Sequence, residues 1–92
     1  MDTLREFLQY QVSGAEPEDV QRTVVGLHGV SPYRVSQIIA ALEQVAAADH
    51  PSGTLSQLVM IDGNQMLMDE SDEGARAWLR DLAAQMRRWT GG

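Results

Sequence analysis

Residues 20–42 read Val20-Gln-Arg-Thr-Val-Val-Gly-Leu-His-Gly29-Val30-Ser31-Pro32-Tyr33-Arg34-Val35-Ser36-Gln37-Ile38-Ile39-Ala-Ala-Leu42. Two apolar stripes at helical spacing meet here. Val20, Val24 and Leu27 form the first. Val35, Ile38, Ile39, Leu42 and Val45 form the second, on the i, i+3, i+4, i+7 rule. Gly29 is expected at the turn between them, because a tight reversal usually needs one left-handed residue. Ser31 suits the N-cap of the second helix and Pro32 its first position. Glu16-Pro17-Glu18-Asp19 opens the first helix, with acids at the positive end of its dipole. Gly26 sits inside that helix at a cost of roughly 1 kcal/mol relative to alanine. Tyr33, Arg34, Ser36, Gln37, Ala40, Ala41 and Gln44 lie off the second stripe and form its outer face.

Upstream, Thr3-Leu-Arg-Glu6 matches a capping box, and Leu4, Phe7, Leu8 and Val12 share a helical face. Ser13-Gly14-Ala15 ends this helix. Downstream, Ala46-Ala-Ala-Asp49 runs the second helix out, and His50-Pro51-Ser52-Gly53 is a loop by composition. Two short apolar runs then flank Asp62-Gly63-Asn64, which predicts a β-hairpin. Its preferred register pairs Ile61 with Met66 and Val59 with Met68. Ser71-Asp72-Glu73 caps a last helix lined by Ala75, Trp78, Leu79, Leu82, Ala83, Met86 and Trp89.

The expected fold is therefore mainly α within the α+β class: helix, helix-turn-helix over about 17–47, hairpin over about 55–69, C-terminal helix over about 72–89. One domain spans 1–92. This order resembles a winged helix with an added C-terminal helix. Gln21, Gly29, Val30, Ser31, Val35 and Ser36 fall where helix-turn-helix regulators favour Gln, Gly, a branched apolar residue, Ser, Val and Ser. The resemblance covers about a quarter of the chain. It departs at Val25, where the family prefers a small residue at the helix crossing, and at His28, where it prefers leucine. The resemblance implies a dimeric, sequence-specific DNA-binding regulator. Ser31, Tyr33, Arg34, Ser36 and Gln37 would touch the bases, and the helix over about 31–47 would enter the major groove. Arg34 and Gln37 supply the donor patterns that read guanine and adenine edges; the plainer reading is a solvated helix surface.

Composition bears on partners. The 92 residues carry a net charge of −6 and no cysteine. Disulfides and thiolate metal sites are excluded, and a reducing, cytoplasmic location is the expectation. The start shows neither the basic nor the apolar region of a signal peptide, and no run is long enough for a membrane span. A chain this short gains from association, so a homodimer is expected. Its anchors would be Trp78, Leu82, Met86 and Trp89; the tryptophans suit a core or dimer contact better than a base-stacking platform. All seven basic residues are arginine, and four of them (Arg76, Arg80, Arg87, Arg88) stand on the last helix. They suit phosphate or an acidic partner, or else dipole matching and a local ion pair. Residues 51–74 hold five acids and no base, and the hairpin tip carries no base to meet phosphate.

These last features support an alternative: an acidic protein-interaction module, an adaptor or phage-type inhibitor, on the same fold. Met60, Met66 and Met68 would then supply an adaptable contact surface. A DNA mimic built on the acids of 62–73 is a third and weaker idea. No enzyme activity is expected, since no nucleophile elbow, phosphate-cradling loop or zinc-helix motif is present. No cofactor is expected. No metal is expected either: neither histidine has a partner at i+3 or i+4, and 69–73 lacks the glycine of a calcium loop.

Overall fold

The computed structural model describes residues 2–13, 15–65, 67 and 70–91, with the side chains of residues 2, 3 and 11 outside the description. Every regular element among the described residues is helical. Helix α1 (Asp2–Phe7) widens into a π-helical segment (Leu8–Val12). Helix α2 (Pro17–Val30) and helix α3 (Pro32–Ala47) follow with one residue between them. Helix α4 (Thr54–Gln57) also widens into a π segment (Leu58–Asp62), and helix α5 (Asp72–Trp89) closes the bundle. Met66, Met68, Asp69 and Gly14 lie outside the described residues, as does the side chain of Thr3 with its expected capping box.

Helix α3 is the centre. Its stripe of Val35, Ile38, Ile39, Leu42, Val45 and Ala46 is buried against α5, α2 and α1. Helix α5 returns Ala75, Leu79, Leu82, Ala83 and Met86. Leu4, Phe7, Leu8 and Val12 fill one side, and Leu55, Leu58 and Val59 another. The Cα radius of gyration is 12.3 Å, close to the about 12 Å of a single compact domain of this length.

The β-hairpin wing is corrected: residues 54–62 are helical, and no strand occurs among the described residues. Leu55, Leu58 and Val59 sit at i, i+3 and i+4, so a helix buries all three together, whereas a strand would split them between faces. Tertiary contacts hold this short helix. The Asp72 carboxylate accepts from the N–H groups of Gly53 (2.7 Å) and Ser56 (3.1 Å), capping α4 from the start of α5. Those backbone N–H groups, Gly53 first, hold the Asp72 carboxyl below its ordinary range. Gly53 takes a left-handed φ of 87°, which glycine adopts without strain.

The expected hairpin turn is a helix end. Gly63 keeps right-handed backbone angles and Asn64 takes the left-handed ones, with φ 47°. The Gln65 N–H reaches back to the Val59 carbonyl (3.3 Å). A Cβ on Gly63 would stand 2.7 Å from that same carbonyl oxygen, so glycine is required by close approach. The two π segments are tied together through Asp62, which receives Gln9 Nε2 (2.8 Å) and pairs with Arg5 (3.2 Å). Gln65 Nε2 donates to the Val12 carbonyl (3.1 Å) beside them.

Candidate functional site

The joint between α2 and α3 differs from the expected glycine turn. Gly29 stays inside α2, and its φ is not left-handed. The break falls at Ser31, with φ −147° and ψ 84°. Pro32 causes it: the pyrrolidine ring disfavours helical angles at the preceding residue and forces Ser31 extended. The Ser31 hydroxyl makes no cap bond; its N–H instead donates to the Leu27 carbonyl (2.7 Å). Val25 is exposed, so its bulk does not obstruct the helix crossing, and Val24 is the fully buried residue there.

The five candidate DNA-contacting residues stay together. Tyr33, Arg34, Ser36 and Gln37 are exposed on the first two turns of α3, Tyr33 at 74%. Ser31 is half-buried at the joint. Val30 beside it is 85% exposed.

The last turn of α5 comes to this same end of the bundle. His28, Val35, Ser36, Ile39, Arg87 and Thr90 line a cavity of about 250 Å³ between α2, α3 and α5. The chain that builds this end, residues 27–39 and 86–91, carries Arg34, Arg87, Arg88 and His28 and no acid. Glu43, one helical turn beyond, ion-pairs with Arg87. Thr90 Oγ1 donates to the Met86 carbonyl (2.8 Å).

Other arginines have structural partners. Arg22 pairs with Asp19 (3.3 Å) on α2. Arg76 donates to the Ala46 carbonyl and to that of Ala48 (3.1 Å), closing the far end of α3. Glu73 lies 3.6 Å from its Nε. Among the described residues, Arg34, Arg80 and Arg88 enter no ion pair. Sequence alone does not foretell the partners of Arg76 and Arg87, because both contacts link residues 28 to 44 positions apart.

The expected interface set divides. Leu82 and Met86 belong to the core: Met86 is fully buried, and Leu82 reaches the surface only in the wall of a groove. Trp78 and Trp89 are half-buried and share a groove of about 180 Å³ with Val12, Pro17, Val20 and Asp81. His50 stands apart, its Nε2 2.9 Å from the Val45 carbonyl. Among the described residues, no three potential metal ligands converge and no helix is long and apolar enough to cross a membrane. No protein-family model, curated protein or solved structure matches the chain.

Proposed function

We propose that this chain is a small DNA-binding protein that reads sequence with the first turns of α3, on an all-helical scaffold without a wing. One observation carries the reading. The exposed Tyr33, Arg34, Ser36 and Gln37 stand at the end of the bundle where Arg34, Arg87, Arg88 and His28 gather and the adjoining acid Glu43 is paired with Arg87, on a chain whose net charge is −6. A local positive field favours phosphate even on an acidic protein, because charges beyond about 8 Å are largely screened at physiological salt. The outer stripe of α3, Tyr33, Gln37, Ala40 and Gln44, is itself free of acids. Arg34 would supply the bidentate donor pair for a guanine edge and Gln37 the amide for adenine. A homodimer would present two such helices to an inverted repeat.

The test is selection from a randomised duplex pool at about 0.1 M salt, a concentration at which phosphate contacts remain strong. A recovered motif whose binding is lost in Arg34→Ala but kept in Arg80→Ala supports the reading. A pool recovered without enrichment removes it.

A second reading has its own observation. The groove flanked by Trp78 and Trp89 mixes apolar walls with Gln65, Gln85 and Asp81, an acid without an ion pair among the described residues. Half-exposed tryptophans are frequent anchors of protein interfaces. This groove, which has Leu82 in its wall but not Met86, supports the protein-interaction alternative or the homodimer contact. Light scattering of Trp78→Ala against the parent chain separates self-association from a monomer.

A further inference from the structure

We infer that the cavity between α2, α3 and α5 is an anion site that takes a phosphate group. Its polar lining consists of His28, Ser36, Arg87 and Thr90, over an apolar floor of Val35 and Ile39, and no carboxylate belongs to it. The volume of about 250 Å³ far exceeds the roughly 10–15 Å³ that a single water needs.

Donors remain available in it. Arg87 meets Glu43 through one nitrogen, Nη2, on one carboxylate oxygen. A guanidinium has five N–H donors in a planar fork, so Nε and Nη1 are left for a ligand. The Ser36 hydroxyl and the His28 ring make no hydrogen bond among the described residues, and both line the cavity. Thr90 is different: its hydroxyl hydrogen is spent on the Met86 carbonyl, so it shapes the wall and donates nothing. A tetrahedral phosphate, with at least two unbridged acceptor oxygens and one or two negative charges, suits a guanidinium edge, a hydroxyl and an imidazole N–H supplied by three helices. Glu43 is half-exposed, at 47% of its side-chain area, and an ion pair so solvated is weak, so an incoming anion would compete with it for Arg87 at little cost.

Two sources carry this chemistry: a phosphate of a nucleic-acid backbone, or a free phosphate-bearing small molecule. The inference holds under either, and it stands even if the base-reading role of Arg34 fails. Two-dimensional NMR of the ¹⁵N-labelled chain, titrated with inorganic phosphate at constant ionic strength set by sodium chloride, tests it. Saturable shifts centred on His28, Ser36 and Arg87 are expected. Arg87→Met, which keeps the stem and removes the fork, is expected to weaken binding roughly tenfold or more, the value of a hydrogen bond to a charged group. Ser36→Ala, on an exposed position, repeats the test without touching the ion pair. Duplex DNA that displaces the phosphate identifies the backbone as the source; phosphate that stays bound beside DNA identifies a small molecule. Shifts that never saturate, or that sodium chloride alone reproduces, overturn the inference.

Discussion

Replacing Gly29 with alanine decides between two backbones at the α2–α3 joint. In the structure Gly29 is a helical residue on the exposed side of α2, and an added Cβ meets nothing within 4 Å. Alanine then gains helix propensity without a clash. The interior value is about 1 kcal/mol, and Gly29 lies one residue from the end of α2, so about 0.5–1 kcal/mol of added stability is expected. In a left-handed glycine turn the same change would cost roughly 1–2 kcal/mol. The two arrangements differ by about 2 kcal/mol, and 1 kcal/mol moves the melting temperature of a domain this size by about 4–8 °C. Gly26→Ala is the internal reference, since Gly26 is mid-helix and its Cβ also meets open space. Thermal and urea unfolding followed by circular dichroism read both variants. A rise in melting temperature for Gly26→Ala together with a fall for Gly29→Ala would refute the continuous α2 helix and restore the glycine turn.

Arg34→Ala should abolish sequence-specific DNA binding while leaving the melting temperature unchanged, because the side chain is exposed and unpaired among the described residues; anisotropy titrations alongside thermal melts check both halves. Arg76→Ala should destabilise the fold by about 1–3 kcal/mol, the value of a charged hydrogen bond to the part-buried Ala46 carbonyl, whereas Glu73→Ala should cost less than about 0.5 kcal/mol as an exposed partner; urea midpoints compare them. Asp72→Asn should lower stability at neutral pH, since an amide offers only one acceptor to the N–H groups of Gly53 and Ser56. The parent's Asp72 contribution is fully present above the unfolded value of 3.8 and is lost as pH falls through the lowered folded value. Unfolding free energies measured from neutral pH down through that range should therefore fall more steeply for the parent than for the variant. An identical acid limb would show that the α4 cap contributes nothing.

Long helices were legible because their apolar positions repeat many times. Five apolar residues at 3.6 spacing from Val35 to Val45 leave α3 no other period, and α5 is marked equally well from Ala75 to Met86. The segment 54–62 is short, and Val59 and Ile61 two apart fit a strand as readily as Leu55, Leu58 and Val59 fit a helix. Asp62-Gly63-Asn64 is turn chemistry in either case; here it ends a helix, with Asn64 and not a hairpin glycine in the left-handed position. For the candidate site, the exposure of Tyr33, Arg34, Ser36 and Gln37 followed from their place off the buried stripe. Their proximity to His28 and Arg87 did not.

The sequence by itself determined that α3 is a helix with one buried stripe and a polar outer face, and that α5 is amphipathic with arginines in its last turn; the central place of α3 came from its packing against α5, α2 and α1. The sequence also marked a break between α2 and α3, but pointed to Gly29; the structure puts it at Ser31, where Pro32 disfavours helical angles at the residue before it. Tertiary structure alone decided that 54–62 is helical, that Arg76 closes α3, that Arg87 meets Glu43, and that Leu82 and Met86 face the core. Local propensity in a short segment is worth too little to choose between strand and helix. A cap from Asp72 and the packing of two π segments, contacts spanning 16 and 53 residues, tip that balance only once the bundle has formed.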